Sequence, residues 1–160
     1  MKVYSYNVAG IRAREGHFWP WLAQSGADVI LIQEIKAQEE NFPYAQAEAH
    51  GYEAKIVGQK GFNGVAVLTK GQCELVLDHL PGEEGDEQAR YLEVAYQGLH
   101  LASLYLPNGN PIHDPVKWPY KLRWMARLRD RMATLLASET PALFGGDYNC
   151  LLYTSDAADD

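Results

Sequence analysis

Apolar residues in this chain come in short runs. Segments of strand length recur at residues 2–8 (KVYSYNV), 28–34 (DVILIQE), 52–57 (YEAKIV), 64–70 (GVAVLTK), 73–78 (CELVLD), 90–96 (RYLEVAY), 99–106 (LHLASLYL) and 141–147 (PALFGGD). They are rich in Val, Ile, Leu and Tyr and are bounded by Gly, Asn or Pro, the pattern of strands separated by turns. Two segments carry helical signals instead. One covers residues 15–25, with Pro20 limiting its early turns; the other runs from Asp114 or Pro115 to Ser138, with its prolines confined to the first turns. In the second, Leu122, Met125, Leu128, Met132 and Leu135 or Leu136 form one apolar stripe, with Lys121, Arg123, Arg127, Arg129 and Arg131 mostly to its sides. That spacing predicts a helix packed on a sheet and showing a basic face to solvent. Strands clustered between helices predict a layered α/β or α+β protein, with a mixed β-sheet and flanking helices. The sequence holds no internal repeat and no low-complexity linker.

Composition narrows this picture. At 160 residues the chain is long enough to hide roughly 68–70% of its unfolded surface, so its core needs no disulfide staples. Its two cysteines, Cys73 and Cys150, are far apart and belong to no Cys/His cluster, which predicts neither a disulfide framework nor a zinc site. No charged leader precedes an apolar run, and no stretch approaches the about 18 apolar residues of a membrane span, so a cytoplasmic protein with no membrane partner is expected. The net charge of −7 argues against adhesion to nucleic acid through overall charge, and leaves room for a local basic face. Asp156, Asp159 and Asp160 supply much of that imbalance from the end of the chain.

Candidate chemistry gathers where the strands finish. Asn7 in SYNVAG, Glu34 in LIQEIK, Tyr105 in LYLPNG, and Asp147 with Asn149 in GGDYN are residues that a buried strand does not need. Singly, each has a plain reading as a turn cap, an exposed strand end, a core tyrosine or a turn residue. Together, at the ends of four apolar strands, they place carboxylates and carboxamides at one rim of a sheet, where α/β proteins tend to put ligands. Such a donor set suits a hard cation. Magnesium takes oxygen ligands, often one or two carboxylates completed by water and substrate phosphate.

The ordered segments SYNVAGIRA, DVILIQEIKA, GQKGFNGVAVLTK, LYLPNGNP and GGDYN resemble the exonuclease III family of DNA-repair nucleases, within the endonuclease/exonuclease/phosphatase superfamily. The resemblance runs from Met1 to Asn149 and implies a four-layer αββα sandwich. It implies a magnesium-dependent enzyme, manganese being a possible substitute, that acts on double-stranded DNA at abasic sites or 3′ ends, with a monomeric full-length parent. On this resemblance Glu34 is the metal-ligating glutamate and Asn7 supports the metal and phosphate site. Tyr105 approaches the scissile phosphate, Asp147 moves a proton close to the metal, and Asn149 stabilises the transition state. The implied metal-side set is therefore Asn7, Glu34, Asp147 and Asn149, and the catalytic set Tyr105, Asp147 and Asn149. Lys36, Lys60, Asn63, Arg90 and Asn108 fall in segments similar to the family's DNA-facing loops.

Two departures accompany the resemblance. The first motif reads Asn7-Val8-Ala9-Gly10, where many relatives carry Asn or Asp at the third place. Beyond Asn149 the chain reads CLLYTSDAADD and contains no counterpart of the family's later aspartate and S-D-H motifs; none of its five histidines follows GGDYN. His100 reads as a packed or edge histidine. Residues 1–149 are accordingly expected to be the N-terminal part of the domain. Residues 150–160 are expected to be a loose, non-native tail of translated adapter sequence, with a natural frameshift or a divergent terminus as the rival. On this reading the family's second sheet comes from a missing C-terminal half. The remaining sheet would then expose an apolar face and associate, and the fragment would lack activity. Rival functions are a superfamily phosphoesterase acting on RNA, a phosphoinositide or a sphingolipid, and a non-catalytic DNA- or protein-binding module.

Overall fold

The computed structural model of the chain describes residues 1–150; the expected tail therefore lies, apart from Cys150, outside the described residues. Among the described residues are eight strands and three α-helices: β1 (Val3–Asn7), α1 (Glu15–Ser25), β2 (Val29–Gln33), α2 (Tyr44–Ala49), β3 (Glu53–Val57), β4 (Val65–Thr69), β5 (Glu74–Leu77), β6 (Tyr91–Tyr96), β7 (Leu99–Tyr105), α3 (Lys117–Ala137) and β8 (Ala142–Asp147). Every strand expected from the apolar runs is present, as are both helices. The missed element is α2, whose six residues are too few to show a helical period.

The strands form two sheets, in the orders β1-β2-β4-β3 and β5-β6-β7-β8. Both are mixed: β1 and β2 are parallel, as are β7 and β8, and the remaining pairs are antiparallel. Side-chain alternation then decides the layers. Ile30, Ile32, Ala66 and Leu68 face α1 and α2, where Phe18, Leu22 and Ala47 meet them. Val29, Leu31, Val65 and Val67 face the other way, against Leu92, Val94 and Leu101 of the second sheet. Tyr91, Ala102 and Leu104 point outward again, onto Trp124 and Leu128 of α3. The order is helix, sheet, sheet, helix. This corrects the expectation that the second sheet is missing: the inner faces of two sheets already cover each other, so the apolar face expected to drive association is buried. Each fully buried Leu or Ile stabilises this arrangement by roughly 1.5–3 kcal/mol.

One open edge of the sandwich lies at β1 and β8. Strands β2 and β4 are buried throughout, whereas β1 and β8, which face each other across the sandwich, are intermediate or exposed along their length. Each edge belongs to a β-α-β unit, β1-α1-β2 and β7-α3-β8, so two parallel strand pairs end on the same side of the molecule.

Helix α3 is rotated from its expected orientation. Its buried residues are Lys121, Trp124, Arg127, Leu128 and Leu135, while Leu122, Met125 and Leu136 are exposed. The cause is a set of acceptors beneath the helix. Arg127 donates to the carbonyls of Leu80 and Pro81 and pairs with Asp86 at 2.7 Å. Arg131 grips Glu93 through two nitrogens at 2.6 and 2.9 Å. Lys121, Arg127 and Arg131 thus face inward, while Arg123 and Arg129 stay exposed, so part of a charge read as solvated belongs to the packing.

Candidate active site

Four strand ends converge at the β1/β8 edge. Asn7 ends β1, Glu34 follows β2, Tyr105 ends β7 and Asp147 ends β8. Asn7 lies opposite Gln33 in one sheet, and Tyr105 opposite Asp147 in the other. The expected single rim is therefore built by two sheets, each supplying one parallel strand pair. A hydrogen-bonded clasp joins them: Asn7 Nδ2 donates to Glu34 Oε1 and to Asp147 Oδ2, each at 2.9 Å.

Local backbone geometry sets these groups. Glu34 and Lys36 have left-handed φ values of 52° and 50°, and Ala9 and Asn149 have 47° and 44°. L-residues adopt this region at a cost of order 1–3 kcal/mol each, and such residues cluster at functional sites. Here the loop after β2 is laced on both sides. Gly10 and Ile11 donate to the carbonyls of Glu34 and Ile35, while Ile35 and Lys36 donate to those of Gly64 and Asn63. Strand β8 is set by close approach: a Cβ at Gly146 would lie 2.0 Å from the Leu104 carbonyl oxygen. Gly146 thus lets β8 lie tightly on β7, while Gly145 leaves room for Leu31 of the facing sheet, which a Cβ there would meet at 2.6 Å.

The charges balance unequally. Burial pushes the Glu34 carboxyl upward, but hydrogen bonds from Asn7, Lys36 and Tyr105 outweigh it and hold the group below its usual range. Lys36 Nζ is 3.1 Å from Glu34 Oε2. Burial raises the Tyr105 phenol, and the negative charge of Glu34 raises it further, so it remains a donor at neutral pH. Asp147 Oδ1 accepts from the Asn149 backbone at 2.9 Å, and Asn149 Nδ2 donates to the Leu106 carbonyl at 2.8 Å. The Arg90 guanidinium lies 4.8 Å from the Tyr105 ring centre and donates to Gln88 and to the Tyr105 carbonyl. Among the described residues no carboxylate forms an ion pair with Arg90, and burial lowers its pKa.

The structure thus brings together Asn7, Glu34, Tyr105, Asp147 and Asn149, with Lys36 and Arg90 beside them. Asn108 lies at the same end, with its carbonyl on Lys121. Two expected DNA-facing residues lie in the turn between β3 and β4. Asn63 is buried, its amide donating to Gln59 and Gln88 and its φ at 53°, so it pins a turn. Lys60 is exposed in that turn. Sequence reasoning missed Lys121, read as flanking a stripe. It is buried, and its ammonium donates to the carbonyls of Asn149 and Asn108 at 2.8 and 3.1 Å. Its only sequence signal is its place one turn into a helix that follows the LPNG motif. His100 is remote from the site, bonded to Glu93 beneath α3.

The donors available to a cation are the oxygens of two carboxylates, Glu34 and Asp147; the Asn7 amide turns its nitrogen to both and its oxygen to the Ala9 N–H. Among the described residues no group of three His, Cys, Asp or Glu side chains gathers as a closed metal cage. A set of two carboxylates fits a hard ion completed by water and substrate oxygens. No described helix is long and apolar enough to cross a membrane.

Comparisons with known proteins agree with this architecture. A sequence model described as the endonuclease/exonuclease/phosphatase family matches residues 4–157. The exodeoxyribonuclease III of Haemophilus influenzae is 34% identical over 153 residues, covering 93% of this chain and 57% of that protein. An AP endonuclease from Archaeoglobus fulgidus superposes with a TM-score of 0.87 at 31% identity, covering 98% of this chain and 60% of the other. The 3′ phosphatase NExo from Neisseria, solved with a product DNA hairpin, superposes with a TM-score of 0.91 at 27% identity, over 99% of this chain and 62% of the other. The chain therefore spans about three-fifths of the length of the proteins it matches.

Proposed function

Because the chain belongs to the endonuclease/exonuclease/phosphatase family, we propose that it is part of a magnesium-dependent DNA-repair nuclease of the exodeoxyribonuclease III type, hydrolysing phosphodiester bonds at abasic sites or 3′ ends. The observation that carries this reading is the clasp of Asn7 on Glu34 and Asp147, which joins the two sheets at the rim where all four strand ends meet. Glu34 and Asp147, with Asn7 between them, would hold the cation. A bound magnesium or manganese ion supplies neutralisation of charge on the phosphate and the leaving oxygen.

The chain's own residues do the rest. Tyr105, kept protonated by burial and by Glu34, donates to a phosphate oxygen. Asp147 accepts a proton from the attacking water, and the Asn149 amide, which has a second N–H beyond the one given to the Leu106 carbonyl, stabilises developing charge. Arg90 and Asn108 hold the DNA backbone without reading sequence, as suits an enzyme that meets damage anywhere. The chain alone binds the cation but turns over little, because it spans only 57% of the Haemophilus relative.

The test joins residues 1–149 to the portion of the Haemophilus relative that this chain does not span. The chimera is expected to melt cooperatively and to incise an abasic duplex in magnesium. Chelation should abolish cleavage, and Asp147→Asn should reduce it by about 10²-fold or more. A chimera that hydrolyses a sphingolipid, a phosphoinositide or RNA while leaving abasic DNA intact would overturn the proposal.

A further inference from the structure

Beneath the clasp lies a polar layer that the proposed chemistry does not use. Gln33 is 1% exposed and Ser103 fully buried, and both sit between the sheets beside Leu31, Val65 and Leu101. Gln33 Nε2 donates to the Leu31 carbonyl at 3.0 Å and to Ser103 Oγ at 3.1 Å, while Gln33 Oε1 accepts from Ser5 Oγ at 3.3 Å. Ser103 Oγ in turn donates to the Ile32 carbonyl at 2.9 Å. Ser5, Gln33 and Ser103 precede Asn7, Glu34 and Tyr105 by two, one and two residues.

Apolar side chains would fill this space without demanding partners, and hydrophobic burial is non-directional. It does not resist a small slide of one sheet over the other. Hydrogen bonds are directional and lose strength steeply when misaligned. We propose that Gln33, with Ser5 and Ser103, is a positioning residue that locks the register between the sheets and so sets the separation of Glu34 from Asp147. The inference rests on the proposed function, since only a site shared between sheets needs that register.

Manganese binding to the chain, followed by titration calorimetry and by the ion's EPR line shape, tests it. Gln33→Met keeps the side-chain length and leaves Ser103 bonded to Ile32, so the thermal midpoint should hold within about 4 °C. Manganese affinity should fall about tenfold, as when groups behind metal ligands are removed, and the EPR line shape should change with ligand geometry. Ser103→Ala should do the same. Unchanged affinity and line shape in both variants overturn the inference while leaving the proposed function standing. Loss of cooperative unfolding in both also overturns it, by making the layer a requirement of the fold. If the unmodified chain binds no manganese in a Glu34-dependent way, the proposed function itself falls, and the inference with it.

Discussion

Glu93 and Glu34 are both drawn into the protein, and their surroundings differ in kind. Glu93 is fully buried in the middle of β6, and its two oxygens accept from Tyr91, His100 and both Arg131 nitrogens, at 2.6 to 2.9 Å. Glu34 is partly exposed at a strand end, on strained backbone, and shares the Asn7 amide with a second carboxylate. One acid has all its lone pairs committed to permanent donors and a cation. The other, with Asp147, leaves oxygens facing an open rim. A buried carboxylate that is fully paired is part of the architecture; two carboxylates that share one amide and face an open rim are ready for something else. Acidity alone does not separate the two, since both carboxyls are held below their usual range, whereas burial and the set of fixed partners do.

The sharpest way to break this contrast is to remove Glu93. Glu93→Ala leaves the Arg131 guanidinium without its counter-charge and Tyr91 and His100 without an acceptor. The expected cost is about 3–5 kcal/mol, read from urea melts, with manganese affinity of the folded protein unchanged. A loss below about 1 kcal/mol would mean that water or a neighbour replaces the carboxylate, and that Glu93 is no more committed than Glu34.

A smaller effect tests the same network through pH. Burial pushes the Glu93 carboxyl up, but hydrogen bonds from Arg131, Tyr91 and His100 bring it below the ordinary value of 4.5. The folded pKa is thus depressed, so the stabilisation is complete above about pH 4.5 and is lost as pH falls through the lower folded value. Wild type should exceed Glu93→Gln by about 1–3 kcal/mol at pH 7, and the gap should narrow as pH falls below about 4.5. A gap that widens in acid would reverse the sign of the pairing.

Much of this was legible in the sequence. Strands such as VILIQ and VAVLT announce themselves because they are buried on both faces and so read as unbroken apolar runs. Asn7, Glu34, Tyr105 and Asp147 were legible as polar residues where such runs stop. What stayed hidden depended on partners far along the chain. The inward turn of Arg127 and Arg131 follows from Asp86 and Glu93, forty-one and thirty-eight residues away, and no helical period reports that. Lys121 reads as a surface lysine until the carbonyls of Asn108 and Asn149 are in place. The second sheet was overlooked because its strands resemble those of the first, and pairing order is not written in apolar spacing.

The smallest effect concerns strain at the rim. Ala9 is exposed and has a φ of 47°, and its N–H donates to Asn7 Oδ1 at 3.1 Å, so the turn after β1 aims the clasp. The left-handed conformation costs an L-residue roughly 1–2 kcal/mol, and Asn or Asp bears it better through local side-chain hydrogen bonds. Ala9→Asn should therefore raise stability by about 0.5–1 kcal/mol, seen as a higher urea midpoint at unchanged slope. Ala9→Gly should gain less, because glycine relieves the strain yet loses more backbone freedom on folding. If Asn gives no gain, the turn is not where the rim stores strain. If it gains stability but weakens manganese binding, the strained alanine is itself part of how Asn7 is held, and the contrast between a relaxed Glu93 and a tensed Glu34 becomes stronger.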